Sequence, residues 1–93
     1  MNPTLYLTQH RGFGVFDTGG GSLALRWALE GEFELLVTNG EGDGLPDDST
    51  DLRIGLYDSR GEMLGSERGD LATVVHFFEF ASRELLGEHE VDG

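Results

Sequence analysis

Carboxylates are the reactive groups that this sequence contains in greatest number. Eighteen Asp and Glu residues stand against six bases, all of them Arg, and the formal net charge is -12. Carboxylates arranged on a rigid surface can stand in for the phosphates of a nucleic acid, because Arg binds either group through two parallel hydrogen bonds. The alternative is that the acids only keep the protein soluble.

The acids best suited to such a surface lie in and just before a Gly-rich loop at residues 39–50. This loop has few apolar residues to bury, so we expect its acids to present their charge together. Two acids on the preceding strand are expected to point to the same side. The predicted partner-binding carboxylates are Glu32, Glu34, Glu41, Asp43, Asp47 and Asp48.

The same loop begins like a calcium-binding loop, with oxygen-bearing side chains at its first, third and fifth positions and Gly at its sixth. An EF-hand needs a bidentate Glu at the twelfth position, where this chain has Thr50, and it needs flanking helices. The Gly clusters also lack the Lys-Ser/Thr end of a phosphate-binding loop. We therefore predict neither a calcium site nor a nucleotide site.

Other catalytic and metal-binding patterns are also missing from the sequence. The chain has no Cys, and its three histidines, at positions 10, 76 and 89, do not have the spacing of metal ligands. No nucleophile-elbow motif is present. We expect a protein that is not an enzyme and that has no catalytic residue, metal or cofactor.

One long helix is predicted at residues 70–86, with Asp70 as its N-cap and Gly87 just past its end. Its apolar residues recur at helical spacing and form one broad face: Leu71, Val74, Val75, Phe78, Ala81 and Leu85. Phe80 falls among the polar residues instead. It is predicted either to be covered by the tail or a loop, or to contact a partner.

The rest of the chain alternates between apolar and polar residues, as half-buried strands do. Up to six antiparallel strands are predicted between residues 4 and 66, the first of them at 4–8, followed by the helix and a polar tail at 88–93. This is a single α+β domain, residues 1–93, whose sheet we expect to be curved or a partial barrel. A three-residue loop is predicted at residues 29–31 and a type I turn at residues 58–61. Together with the other turn lengths they predict these opposed pairs: Leu7 and Val15, Trp27 and Phe33, Arg26 and Glu34, Tyr57 and Met63, Leu56 and Leu64.

In size, charge and lack of a catalytic motif, the chain resembles the small acidic DNA mimics made by phages, including anti-CRISPR proteins. The resemblance implies an inhibitor that occupies the basic nucleic-acid site of a host complex, with a CRISPR effector as one candidate. The alternatives are an immunity protein or antitoxin against a basic nuclease, and a small structural or assembly subunit. A homodimer through Phe80 or an open strand edge is compatible with the last.

The charge also predicts what the protein does not bind. A strongly negative surface repels nucleic acid and anionic membranes and attracts basic surfaces. The N-terminal residues include neither a basic region nor a long apolar run, so we expect no signal peptide and no membrane span. The expected protein is cytoplasmic, a monomer or homodimer, and binds the basic surface of a nucleic-acid-binding protein.

Overall fold

The computed structural model describes residues 2–29 and 33–84, which form a five-stranded antiparallel sheet and two helices. The predicted α+β class, the antiparallel meander and the C-terminal helix are confirmed. In chain order the elements are α1 (Pro3–His10), β1 (Gly14–Gly19), β2 (Ser22–Leu29), β3 (Phe33–Asn39), β4 (Leu52–Asp58), β5 (Met63–Gly69) and α2 (Leu71–Ser82).

The sheet is open and is not closed into a barrel, and it has five strands where up to six were predicted. The strands lie in the order β1-β2-β3-β4-β5, so each pairs with its sequence neighbours and β1 and β5 are the two edges. The predicted first strand, which would have extended the sheet beyond β1, is helical instead. Without that strand the meander ends at β1.

Residues 4–8 belong to helix α1 because the local capping signals favour a helix over the alternating pattern. The Asn2 side chain accepts a hydrogen bond from the Leu5 N–H, and Pro3 occupies the first turn, where its missing N–H costs nothing. Leu7 is fully buried while Leu5 is exposed. The predicted pairing of Leu7 with Val15 is therefore wrong, and Val15 lies opposite Leu25.

The β2–β3 register differs from the predicted one by two residues. Trp27 lies opposite Leu35, and Arg26 lies opposite Leu36. A shift of two residues leaves every side chain on its predicted face, so the alternating pattern could not distinguish the two registers. Arg26 still reaches Glu34 diagonally and forms an ion pair with it. Leu29, the first residue of the predicted three-residue loop, is the last residue of β2, and residues 30–32 lie outside the described part of the chain.

The last hairpin follows its predicted turn and departs from the predicted register within the strands. The Gly61 N–H donates to the Asp58 carbonyl at 2.9 Å, and Gly61 has a φ of 85°, which closes the predicted turn. Tyr57 lies opposite Met63 as expected. A bulge then places Leu56 opposite Gly65 rather than Leu64.

Both helices pack on one face of the sheet, which we call the inner face; the other face is the outer face. Phe78 of α2 is at the centre, with its ring 5.3 Å from that of Phe13 and 4.8 Å from that of Trp27. The predicted inward direction of Trp27 is thus confirmed. The buried core consists of Leu7, Phe13, Leu25, Leu35, Val37, Leu52, Ile54, Val74, Phe78 and Ala81.

Candidate functional site

The acidic loop, residues 40–51, is closed at its neck by Asn39, the last residue of β3. The Asn39 side-chain oxygen accepts from the N–H groups of Gly42 and Asp43 at 2.8 and 3.1 Å, and its amide nitrogen donates to the Asp43 carboxylate at 2.7 Å. The Asn39 N–H also donates to the Gly44 carbonyl. These bonds fix the backbone that presents Glu41 and Asp43, both exposed.

The second half of the acidic loop is anchored to both helices. Pro46 is buried, and its carbonyl accepts from the Thr4 hydroxyl of α1 at 2.6 Å. The Ser49 carbonyl accepts from the Leu71 N–H at the start of α2 at 2.8 Å. Asp47 and Asp48, which lie between these two anchors, are exposed. The loop is therefore held in place by the fold, although its sequence is rich in Gly and acids.

Two arginines on the outer face flank the end of this loop. Arg53 and Arg68 lie directly opposite each other on β4 and β5. Arg68 donates two hydrogen bonds to the Asp51 carboxylate, at 2.9 and 3.0 Å. This bidentate contact lowers the pKa of Asp51 below its ordinary value of 3.8, opposed by partial desolvation and assisted by the nearby charge of Arg53. Asp51 is thus a neutralised part of the loop.

Glu34, one of the two predicted carboxylates outside the loop, is not near the four loop acids. Glu34 lies on the outer face at the start of β3, about 17 Å along the strand from Asn39 at 3.3 Å per residue. Its charge is balanced by Arg26. Glu32 lies outside the described residues. The structure therefore places four of the six predicted acids on one loop and separates Glu34 from them.

Acid should weaken the fold through several hydrogen-bonded carboxylates, Asp51 among them. The pKa values of Asp48, Asp51, Asp58 and Asp70 are all lowered, chiefly by hydrogen bonds to their charged forms. A carboxyl group whose pKa is lower in the folded than in the unfolded state stabilises the protein above about pH 4. This stability is lost as the pH falls through the pKa of the folded state. Urea unfolding from neutral to acidic pH measures this loss.

Asp51→Asn tests the origin of that pH dependence. The amide cannot titrate, so the variant should lose less stability on acidification than the parent does. Asp47→Asn is the matched control on the same loop, because Asp47 has no ion pair with any arginine in the described part of the chain. Equal acid sensitivity of the Asp51 variant and the parent would contradict the assignment.

Phe80 lies in a second feature, a groove along α2. Its side chain is 55% exposed. The groove has a volume of about 730 Å³ and lies between the outward side of α2 and the end of β5. Its lining residues are Glu67, Asp70, Ala72, Thr73, His76, Phe77 and Phe80.

Several residues of these surfaces did not stand out in the sequence. The β4–β5 bulge brings Arg53 and Arg68 together, and no local signal in the sequence predicts it. Phe77 lines the groove together with Phe80, and helical spacing in the sequence did not predict that either residue would lie near β5. Asn39 carried a usable signal, since Asn followed by Gly is typical of a side chain that bonds the backbone of a turn.

Within residues 2–29 and 33–84, no group of three His, Asp or Glu residues is placed to hold a metal ion. The helices described in the structure are too short or too polar to cross a membrane. No protein-family model matches the chain, and no curated protein or solved structure is significantly similar to it.

Proposed function

We propose that this chain is an acidic binding protein that inhibits a nucleic-acid-handling complex by occupying its basic nucleic-acid site. The proposal rests on the exposure and the ion-pair partners of the four loop carboxylates. Glu41, Asp43, Asp47 and Asp48 are exposed on an anchored backbone, and none of them has an arginine within ion-pair distance in the described residues.

The distribution of arginines supports the same proposal. Four of the six arginines form ion pairs with acids other than these four carboxylates: Arg11, Arg26, Arg60 and Arg68. The loop acids remain available for basic groups of a partner, which would bind them with charge-assisted hydrogen bonds. An anchored loop also loses little conformational freedom on binding, so less of the interaction energy is spent on ordering it.

The test is a pull-down with the tagged chain from a bacterial lysate at low and high salt, followed by a competition assay. If the chain mimics nucleic acid, the captured complex should bind either this chain or a labelled DNA or RNA duplex, and never both at once. Binding should weaken as salt rises, because charge attraction is screened. A complex that holds the chain and its nucleic acid at once would contradict the proposal.

Removing the loop charges should weaken binding without unfolding the protein. We expect the variant Glu41→Gln/Asp43→Asn/Asp47→Asn/Asp48→Asn to lose most of its affinity for the captured complex and to show a flatter salt dependence. The amides keep acceptor oxygens for the hydrogen bonds within the loop. Calorimetry at two salt concentrations measures both effects.

Variants matched in charge locate the effect. Glu41→Gln/Asp43→Asn and Asp47→Asn/Asp48→Asn each remove two loop charges, and Glu62→Gln/Glu84→Gln removes two from elsewhere. The loop pairs should weaken binding more than the distant pair does. Equal losses from all three would mean that net charge alone, and not this loop, attracts the partner.

A further inference from the structure

The groove that contains Phe80 lies beside an open edge of the sheet. β5 is the last strand in the order and is paired with β4 alone among the described strands, so the backbone groups on its other side have no strand partner there. Open edges of this kind are the places where proteins accept an additional strand. Helix α2, packed on the inner face, forms the wall above this edge.

Alternate side chains of an added strand would point into the groove. Directly opposed residues of neighbouring strands share a face, and successive residues alternate between faces. Glu67 faces inward, because it lies opposite the buried Ile54. A residue added opposite Glu67 would therefore face the same side, and its neighbours two positions away would lie along α2, the helix that carries Phe77 and Phe80.

We propose that this groove binds an extended, basic segment of the partner protein, which adds to β5 as a further strand. An apolar residue of that segment would pack against Phe77 and Phe80, and a Lys or Arg would lie beside Glu67. The proposal rests on the proposed function for the basic character of the partner. It assigns a second contact, separate from the acidic loop.

Charge complementarity identifies this occupant. The two acids that line the groove, Glu67 and Asp70, favour a basic segment. A second copy of the chain, with a formal charge of -12, would meet repulsion at the same edge. Exposed aromatic rings beside polar rims are typical anchors of protein-binding surfaces.

The probe is a short, fluorescein-labelled synthetic peptide in which Lys and Leu alternate. A block peptide of identical composition is the control, because it cannot present one apolar and one basic side as a strand. We expect the alternating peptide to bind more tightly by fluorescence anisotropy and to slow hydrogen exchange at alternate amides of β5. Exchange in β1, the other edge, should be unchanged. Protection of β1 instead of β5 would overturn the proposal.

Backbone pairing is tested by N-methylation of the peptide. Only one edge of the added strand would bond to β5, so methylating one set of alternate amides should abolish binding and methylating the other set should not. Equal binding by both methylated peptides would exclude strand addition.

Protein variants test the side chains. Phe80→Ser should weaken binding of the alternating peptide at least about tenfold. Leu5→Ser, at a residue with a nearly equal exposure of 54%, should leave it unchanged. Glu67→Gln should weaken binding more than Glu62→Gln, which removes a charge from the turn before β5. Equal effects within either pair would overturn the assignment of the groove.

One further result would also contradict the proposal. A homodimer in solution that dissociates on Phe80→Ser would make a second copy the occupant. The groove proposal can fail while the proposed function holds. If the loop variants no longer bind the captured complex but Phe80→Ser still binds it, only the acidic-loop proposal remains.

Discussion

Replacement of Phe78 by alanine is expected to lower the free energy of unfolding by about 3 to 5 kcal/mol. Phe78 is only 7% exposed, and its ring packs against both Phe13 and Trp27. The smaller side chain would leave a cavity between α2, the sheet and the segment after α1. Small domains have a total stability of about 5 to 15 kcal/mol, so this loss is a large fraction of it. Urea denaturation followed by tryptophan fluorescence measures it.

Phe80→Ala is the matched control for this experiment, because it makes the same chemical change on the same helix. Phe80 is 55% exposed, so its loss should change the free energy of unfolding by about 0.5 kcal/mol or less. A destabilisation by Phe80→Ala as large as that by Phe78→Ala would show that Phe80 belongs to the core. It would then be unavailable as a contact residue.

Leu7→Ala is expected to cost about 2 to 5 kcal/mol, whereas Leu5→Ala should cost little. Leu7 is fully buried on the inward side of α1, while Leu5 is 54% exposed on the same helix. In a strand, residues two apart share a face, and both leucines would be equally buried. The difference in unfolding free energy between these two variants therefore tests the helical assignment directly.

The features that depend on nearby residues were predictable from the sequence. Asp70 begins α2 as expected, with its side chain accepting from the Thr73 N–H at 2.9 Å. The turn from Asp58 to Gly61 also forms as predicted. In both cases a hydrogen bond joins residues only three apart, so the local sequence contains all the information that is needed.

Features that depend on distant contacts were not predictable in the same way. Alternating leucines at residues 4–8 fit a strand, whereas Asn2 and Pro3 are local signals for a helix, and the packing of α1 against the core decides between the two patterns. The structure also separates Glu34, at the start of β3, from the four acids of the loop that follows β3. Whether a carboxylate is free or neutralised depends on which arginine the fold brings to it, here Arg26 from another strand. The pairing of Arg26 with Glu34 was predicted from the turn lengths, and it survives the two-residue shift of register because the two side chains reach each other diagonally.

The sequential strand order has a consequence for how the chain folds. Pairing between sequence neighbours closes only short loops, so the hairpins should form early and fast. The contact between Arg11, just after α1, and Glu79 of α2 joins opposite ends of the described chain and has the highest entropic cost of closure. The contacts of α1 with α2 and with the acidic loop should therefore form after the hairpins, and detachment of α1 should be an early local opening. Because Thr4 holds Pro46, each such opening would release one half of the acidic loop.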